Sequence, residues 1–181
     1  MAIQIEKTFR VEEPIEQVWL LLSDPRRISV CVPGAKITEQ LNETTYKGTI
    51  SVKVGPSATV YKGEVQIIRL DVEKHEIEIV GKGQDVRGRG SASMKMTGTA
   101  RALETGGTEV KSISELNVIG ILAQMGARVI NEVSNIIFAQ FMKNFQAQLR
   151  QPGDAPVSEA KPLNAASVAW AAAKGAFHRN S

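Results

Sequence analysis

The sequence is poor in the residues that build metal sites and disulfides. It has one cysteine, Cys31, and two histidines, His75 and His178, which lie far apart in the chain. A single cysteine excludes an intramolecular disulfide, and it also excludes a zinc site built on several cysteine ligands. Cys31 is therefore expected to be a buried, unreactive thiol. No metal or other cofactor is expected.

Long apolar runs are also missing. No segment approaches the ~18 consecutive apolar residues that a membrane-spanning helix needs. The opening residues, MAIQIEKTF, lack the basic segment followed by an apolar segment that marks a signal peptide. These features predict a cytoplasmic protein, and they leave open a peripheral association with the inner face of the cell membrane.

Aromatic residues and excess charge are scarce. Aromatics make up 5% of the chain, and 22 Lys and Arg residues stand against 19 Asp and Glu residues, for a net charge of +3. Nucleic-acid binding usually needs clustered basic residues and stacking aromatics, so a nucleic-acid partner is not expected. A mildly basic surface still permits contact with an anionic membrane or an acidic partner.

The apolar residues that are present follow two periods. Alternation predicts a strand at 3–11, in which Lys7 interrupts the apolar face, and six further strands between residues 36 and 117. The clearest strand is 91–103, with small and methionine side chains on one face. Helical spacing predicts a helix at 15–24, a short helix near 26–30, and one long helix from Gly120 to Arg150. No internal repeat is present.

This order of elements predicts an α+β fold of the helix-grip type. About seven consecutive strands joined by hairpin turns make a curved antiparallel sheet. Its apolar face has to be covered, and the long C-terminal helix is the one element large enough to do so. We therefore expect a helix-grip domain at 1–150, a linker at 151–162 with the composition PGDAPVSEAKP, and a flexible tail at 163–181 that can form an amphipathic helix.

Local motifs narrow this prediction. In order along the chain they are Val18-Trp19, Ser23-Asp24-Pro25, Cys31-Val32-Pro33-Gly34, Val54-Gly55-Pro56, Lys62-Gly63-Glu64-Val65, the glycines 81, 83, 88 and 90, and Gly120-Ile-Leu-Ala-Gln-Met-Gly126-Ala-Arg128. As a set, these motifs resemble the carbon monoxide dehydrogenase G-subunit family, within the START-like (Bet v-like) helix-grip superfamily. The resemblance covers residues 1 to about 150.

The resemblance implies an accessory protein of a molybdenum-type dehydrogenase, of the carbon monoxide or xanthine dehydrogenase kind, and it supplies no catalytic residues. The hypothesis is a non-enzymatic protein that holds an apolar, lipid-like ligand, with a quinone as the favoured guest, and that associates with a membrane or the dehydrogenase. Two alternatives remain open. One is a recruitment or assembly factor without a ligand. The other is a cyclase or hydrolase on the same fold, with Tyr46 and Tyr61 as acid–base candidates.

Candidate site residues follow from this hypothesis. Side chains that are small, or flexible like methionine, leave room for an irregular apolar ligand. The predicted cavity residues are Trp19, Val32, Pro33, Ile50, Val52, Met94, Met96, Gly98, Leu122, Met125, Val129, Val133 and Ile136. Trp19 suits a core anchor better than a ligand contact, and the Met94–Ala102 face can equally be ordinary core.

Basic and aromatic residues outside the cavity are candidates for membrane or partner contact. The segment GKGQDVRGRG contains Arg87 and Arg89, but its glycine spacing fits neither a dinucleotide-binding loop nor a Walker A loop. An ordinary solvated hairpin is the simpler interpretation of this segment. In the tail, an apolar seam flanked by basic residues suits an interfacial helix. The candidates for contact are Arg87, Arg89, Trp170, Lys174, Phe177 and Arg179.

Overall fold

The structure is a computed structural model that describes residues 1–54 and 56–151. Predictions that concern Gly55 and the tail residues Trp170, Lys174, Phe177 and Arg179 lie outside the described residues. The strands are β1 (Ala2–Val11), β2 (Ala35–Gln40), β3 (Thr45–Val54), β4 (Ser57–Asp71), β5 (Glu76–Asp85), β6 (Gly90–Ala102) and β7 (Thr108–Gly120). The helices are α1 (Ile15–Leu22), α2 (Pro25–Ser29), α3 (Ile121–Gln124) and α4 (Gly126–Arg150).

The strands form one antiparallel sheet in the spatial order β1-β7-β6-β5-β4-β3-β2. Strands β2 to β7 follow one another as a meander, and β1 closes the order by pairing with β7, with Ile3 opposite Leu116. Together with the long helix α4 and the two short helices after β1, this sheet confirms the predicted helix-grip fold.

Local chemistry explains the first two helices. Pro14 immediately precedes α1 and its carbonyl accepts hydrogen bonds from the backbone N–H groups of Gln17 and Val18. The Asp24 carboxylate caps α2 by accepting from the backbone N–H groups of Arg26 and Arg27 at 3.0 and 3.4 Å. Pro25 occupies the first position of α2, where a missing N–H costs nothing.

The predicted helix from Gly120 to Arg150 is interrupted. Helix α3 ends at Gln124 and α4 begins at Gly126, whose φ of +81° belongs to the left-handed region that favours glycine. The apolar stripe continues across this break, which is why periodicity did not reveal it. Gly120 allows the end of β7 to approach the residue before β6, because a Cβ atom at Gly120 would lie 2.1 Å from the Arg89 carbonyl oxygen.

Strand β5 begins at Glu76, after a turn that follows β4. The Asp71 carboxylate accepts hydrogen bonds from the backbone N–H groups of Glu73 and Lys74 at 3.1 and 3.0 Å, and this fixes a turn before Glu76. His75 lies in this turn with a φ of 53°. Its ring packs edge-on against Trp19, with 5.2 Å between centroids, and this contact ties the turn to α1.

Candidate functional site

The inner face of the sheet is the face that carries the core. In β1 it presents Ile3, Ile5, Phe9 and Val11, and the strand register places Met94 and Leu116 in the same row as Ile3. Helices α1 and α2 and the C-terminal end of α4 cover one part of this face around the buried Val18, Trp19 and Phe145. Near the start of α4, Ile130 packs with Ile3 and Val118 in a second cluster.

Helix α4 is therefore buried at both ends and only partly buried in between. Its buried residues are Ile130 near the start and Phe145, Gln148 and Leu149 near the end, and none of residues 131–144 is buried. Phe138 and Phe141 are half-buried and stack with each other at a centroid distance of 6.5 Å. Both rings also contact Phe9 of β1, at centroid distances of 6.0 and 6.2 Å, so the middle of the helix meets the sheet along β1 without being buried against it.

The facing part of the sheet is open as well. Val65 lies on the inner face in the middle of the sheet and is 40% exposed, although a core valine is normally buried. A Cβ atom placed on Gly81 would lie 3.7 Å from Val65 Cγ2 and 3.9 Å from Met94 Cε, so these three residues are neighbours. We call the space between this surface and the middle of α4 the inner concavity.

Glycines shape this concavity in two different ways. Gly48, Gly63 and Gly83 lie opposite one another on β3, β4 and β5. A Cβ atom on Gly48 or Gly63 would lie 2.5 or 1.9 Å from a carbonyl oxygen of the adjacent strand, so these positions require glycine for strand approach. Gly81 and Gly83 would make only ordinary contacts of 3.5 Å or more. Their missing side chains enlarge the concavity without any demand from the backbone.

A lysine interrupts the apolar inner face in β1. Lys7 lies between Ile5 and Phe9 in the inward-facing positions of β1, opposite Ser112. Its Nζ donates a hydrogen bond to Asn135 Oδ1 of α4 and lies 5.4 Å from the centre of the Phe138 ring. The strand pattern marked Lys7 as an irregularity and did not identify it as a site residue. A lysine at an inward-facing strand position keeps its ammonium group near a polar partner, and this rule could have identified Lys7 as a site residue.

A second recess lies on the outer face of the sheet. It has a volume of about 790 Å³, and most of its lining residues occupy outward-facing positions. Its charged members stand opposite one another as Glu64 with Lys82 and Lys95 with Glu115. This alternation of charge does not suit an apolar guest. The recess also borders Ile3, Gly81, Met94 and Leu116 of the inner-facing rows, so the sheet is thin between it and the inner concavity.

The turn between β5 and β6 is organised by a buried carboxylate. Asp85 accepts two hydrogen bonds from the Arg89 guanidinium, at 2.9 Å to Oδ2 and 3.1 Å to Oδ1, and others from the backbone N–H groups of Arg87 and Arg89. The side-chain hydrogen bond from Arg89 lowers the pKa of Asp85 from 3.8 to about 2. Arg89, predicted as a contact residue, is thus occupied in holding its own turn.

Tyr61 stands beside this turn, opposite Asp85 on the inner face. Its hydroxyl is buried and has no hydrogen-bond partner within the part of the chain that the structure describes. Burial raises the pKa of Tyr61, and the neighbouring Asp85 carboxylate raises it further. A raised pKa makes this tyrosine a poorer proton donor, which is the opposite of what acid catalysis needs. Tyr46 instead accepts from Gln40 and donates to the Glu43 carbonyl, both at 3.4 Å.

The predicted cavity residues fall into two groups by burial. Trp19, Pro33 and Gly98 are buried, and Trp19 belongs to the core cluster under α1 and α2. The half-buried members are Val32, Ile50, Val52, Met94, Met96, Leu122, Met125, Val129, Val133 and Ile136. Met94 adjoins Val65 and Gly81 in the inner concavity, whereas Leu122 packs against the cluster of Ile3, Val118 and Ile130. Their contact with a ligand stays a prediction.

Two further classes of site are absent from residues 1–54 and 56–151. No group of His, Cys, Asp and Glu side chains in these residues could hold a metal ion. No helix in the same part of the chain is both long and apolar enough to cross a bilayer. Cys31 is buried there as predicted, and burial raises the pKa of its thiol to about 12.

Several solved structures share this fold. A conserved protein from Geobacillus kaustophilus has a TM-score of 0.73 at 19% identity, covering 81% of this chain and 95% of its own. The Zhui aromatase/cyclase from Streptomyces sp. R1128 has a TM-score of 0.60 at 13% identity, covering 82% and 94%. A START superfamily protein from Mycobacterium smegmatis has a TM-score of 0.56 at 12% identity, covering 82% and 97%. At such identities the likeness shows the fold alone.

The shared fold does not identify a family, whereas comparison of the sequence does. No curated protein matches the chain. The family model for the G subunit of carbon monoxide dehydrogenase (CoxG) matches residues 8–150, which contain every strand and helix described above apart from the start of β1. The chain therefore belongs to the CoxG family of carbon monoxide dehydrogenase, as its motifs predicted, and has the START-like fold.

Proposed function

We propose that this protein is a non-catalytic accessory protein of a molybdenum-type dehydrogenase and that it binds an apolar, lipid-like ligand in the inner concavity. The observation that carries this proposal is the uncovered middle of the helix-grip core. Val65 is exposed on the inner face, and α4 is buried only at its two ends. The family name supports the link to a dehydrogenase. In this view the protein works in the cytoplasm and is peripheral at the membrane.

The chemistry of the concavity favours an amphiphile with a long apolar body. Met94 and Met96 adapt to an irregular guest, and each buried CH₂ of that guest contributes about 0.8 kcal/mol. Lys7 gives the concavity one polar group that can donate to an oxygen atom of the guest. A prenyl quinone satisfies both requirements, since it has an apolar chain and carbonyl oxygens that accept hydrogen bonds.

The direct test is native mass spectrometry of gently purified full-length protein, followed by solvent extraction. The expected result is a bound apolar molecule, identified as a quinone by its ultraviolet spectrum and mass. Recovery of protein without any lipid or quinone from cells that contain both would argue against a ligand-binding role.

Substitutions at Gly81 locate the ligand. Gly81→Ile should fill the inner concavity and lower the ligand content, whereas Gly81→Ala adds only ordinary contacts and should keep the ligand. Lys7→Met should weaken retention of the oxygen-bearing end, and Lys111→Met, which removes an exposed lysine paired with Glu6, is its control. Equal ligand content in all four variants would place the ligand elsewhere.

The competing function is recruitment or assembly without a ligand. Deletion of residues 152–181 separates the two ideas, because a recruitment factor should lose association with the membrane or dehydrogenase while its folding stays intact. A ligand carrier should keep its cargo after this deletion. The fold is shared with an aromatase/cyclase. Conversion of a candidate substrate that disappears in both Tyr46→Phe and Tyr61→Phe would contradict the non-catalytic assignment.

A further inference from the structure

At one end of the sheet, hydrogen bonds join the start of β4, the β5–β6 turn and the start of α3. Val86 N–H of the β5–β6 turn donates to the Val60 carbonyl at 2.9 Å. Arg89 Nη2 donates to the Ala58 carbonyl after the β3–β4 turn at 3.1 Å, and Ile121 N–H of α3 donates to the Arg89 carbonyl at 2.9 Å. We call this end the sheet tip, and define it as the end of β3, the start of β4, the β5–β6 turn and the β7–α3 junction.

The sheet tip exposes two large aliphatic side chains. Val86 is 58% exposed in the β5–β6 turn, and Ile119 is 61% exposed near the end of β7. Ile119 stands opposite Ser91, whose strand begins directly after the same turn. Single exposed aliphatic residues are common on protein surfaces, so this observation needs support from a second property of the tip.

The second property is charge. Residues 44–63, 79–103 and 116–131, which run to and from the tip, contain one acidic residue, Asp85. That carboxylate is buried and paired with Arg89. The side chains of Lys53, Lys62 and Arg87 are exposed on the same segments. These segments therefore present positive charge without exposed carboxylates.

The opposite end of the sheet has a different balance. The β4–β5 turn and the residues around it hold Asp71, Glu73 and Glu76. Arginines there are neutralised in ion pairs, as Arg69 is by Glu76 and Glu78 and as Arg101 is by Glu109. Charge is thus separated along the strands, with exposed cations at the tip and carboxylates at the opposite end.

We propose that the sheet tip is the surface that docks onto an anionic lipid bilayer. Arg87 and Lys53 lie among the headgroups, and Val86 and Ile119 enter the layer just below them. Each cation near an anionic bilayer strengthens binding roughly fivefold (about 1 kcal/mol), and exposed aliphatic groups add apolar burial. This inference rests on the membrane association in the proposed function and assigns it to specific residues outside the tail.

The test uses the full-length chain and co-sedimentation with vesicles. Phosphatidylglycerol-containing vesicles are compared with pure phosphatidylcholine vesicles, at low and high salt. The tip variants are Arg87→Glu, Val86→Ser and Ile119→Ser. Their matched controls at the opposite end are Lys74→Glu and Val72→Ser, since Val72 is 61% exposed, as Ile119 is.

We expect the wild-type protein to bind the anionic vesicles preferentially and to be released by salt. Arg87→Glu should weaken binding about tenfold or more, because a reversal removes one attraction and adds one repulsion. The serine variants at the tip should weaken binding severalfold, and both controls should bind as wild type does. Thermal melting confirms that every variant is folded.

Three results would overturn the assignment: no binding by the wild-type protein, equal binding by tip and control variants, or equal binding to neutral and anionic vesicles. Ligand content of the same proteins, measured by extraction, separates this inference from the proposed function. Tip variants that keep their ligand but lose vesicle binding support docking through the tip, whereas an empty wild-type protein bears only on the ligand.

Discussion

Tyr61 and Tyr46 are both buried tyrosines on the inner face, and they differ in their hydrogen bonds. The Tyr61 hydroxyl has no partner among the described residues, whereas that of Tyr46 has two. A buried polar group without a partner carries an unrecovered desolvation cost, and a paired one contributes a net stabilisation. The two residues are therefore a matched pair for measuring how a buried hydroxyl changes the free energy of unfolding.

Tyr61→Phe is expected to leave the free energy of unfolding unchanged or raise it by about 1 kcal/mol, since it removes the unpaired oxygen. Tyr46→Phe is expected to lower it by about 1 kcal/mol, because it breaks two hydrogen bonds. Urea unfolding of both variants measures the difference. A larger loss from Tyr61→Phe than from Tyr46→Phe would mean that the Tyr61 hydroxyl has a partner in solution.

The Cys31 thiol should be unreactive in the native protein. Its thiol is buried and donates a hydrogen bond to the Arg27 carbonyl at 3.8 Å, and burial raises its pKa from 9.0 to about 12, with Arg27 opposing the shift. A thiol reagent should therefore modify Cys31 only after unfolding. Rapid modification under native conditions would show that the environment of Cys31 opens readily.

The same shift predicts a loss of stability in alkali. Between pH 9 and 12 the unfolded state loses the thiol proton while the folded state keeps it, so the free energy of unfolding falls as pH rises through this range. The difference between wild type and Cys31→Ala, measured by urea unfolding at several pH values, isolates this contribution from other titrating groups.

At the scale of elements, the strands are shaped by glycines that look alike in sequence and act differently. Gly63 and Gly81 stand on neighbouring strands, two residues apart in register, since Gly63 pairs with Gly83 and Val65 pairs with Gly81. A Cβ atom on Gly63 would lie 1.9 Å from the Lys82 carbonyl oxygen and 2.6 Å from the Gly83 Cα. Both atoms are backbone, so β4 and β5 would have to separate. Gly81 has no such neighbour.

Gly63→Ala should therefore lower the free energy of unfolding by about 3 kcal/mol or more, as expected when a buried clash forces strands apart. Gly81→Ala should be neutral or stabilise by about 0.5 kcal/mol, because alanine loses less backbone entropy on folding. Thermal and urea unfolding of the two variants provide the comparison. Similar losses in both would contradict the distinction between strand approach and open space.

Helix α4 is the element whose two ends have separate tasks. Its C-terminal part anchors the core, where the Phe145 ring packs edge-on against Phe9 at 5.4 Å and Asn144 Nδ2 donates to the Cys31 carbonyl at 3.0 Å. Its start is set by Gly126 and held by Ile130. Between these ends the helix contacts β1 through Phe138 and Phe141 on Phe9, and none of residues 131–144 is fully buried.

At the scale of the whole molecule, an open core has a cost in stability. Val65 is exposed and Met94 and Met96 are only half-buried, so they contribute less apolar burial than closed core residues would. If the proposed ligand covers these side chains, its binding should stabilise the folded state. A ligand that binds only the folded state stabilises it by about 2.7 kcal/mol at a free concentration of 100 Kd.

The protein stripped of its extracted ligand should consequently melt several degrees lower than the protein as purified, and re-addition of the extract should restore the melting temperature. In Gly81→Ile, the extract should produce a much smaller increase, while Gly81→Ala should respond as wild type does. Differential scanning calorimetry measures both. An unchanged melting temperature in the wild type after stripping and re-addition would argue against a ligand in the core.

Much of this fold could be predicted from the sequence. Alternation of period two determined the seven strands and their inward faces, because in a strand the two faces are fixed by neighbouring positions in the chain. The meander followed from the hairpin turns, and the motifs from Val18-Trp19 to Gly126 identified the family, which is confirmed. The break at Gly126 escaped prediction, since an apolar stripe continues through it.

Tertiary structure alone decided which parts of the inner face stay uncovered and which charges are already paired. Arg87 and Arg89 look equivalent in sequence, yet Asp85 holds Arg89 and leaves the Arg87 side chain exposed at the sheet tip. Likewise, Lys7 is an irregularity in a strand until Asn135 and Phe138 meet it. The face of a strand on which a side chain lies is determined by its neighbours in the chain. Its exposure and its ion-pair or hydrogen-bond partners depend on residues that only folding brings together.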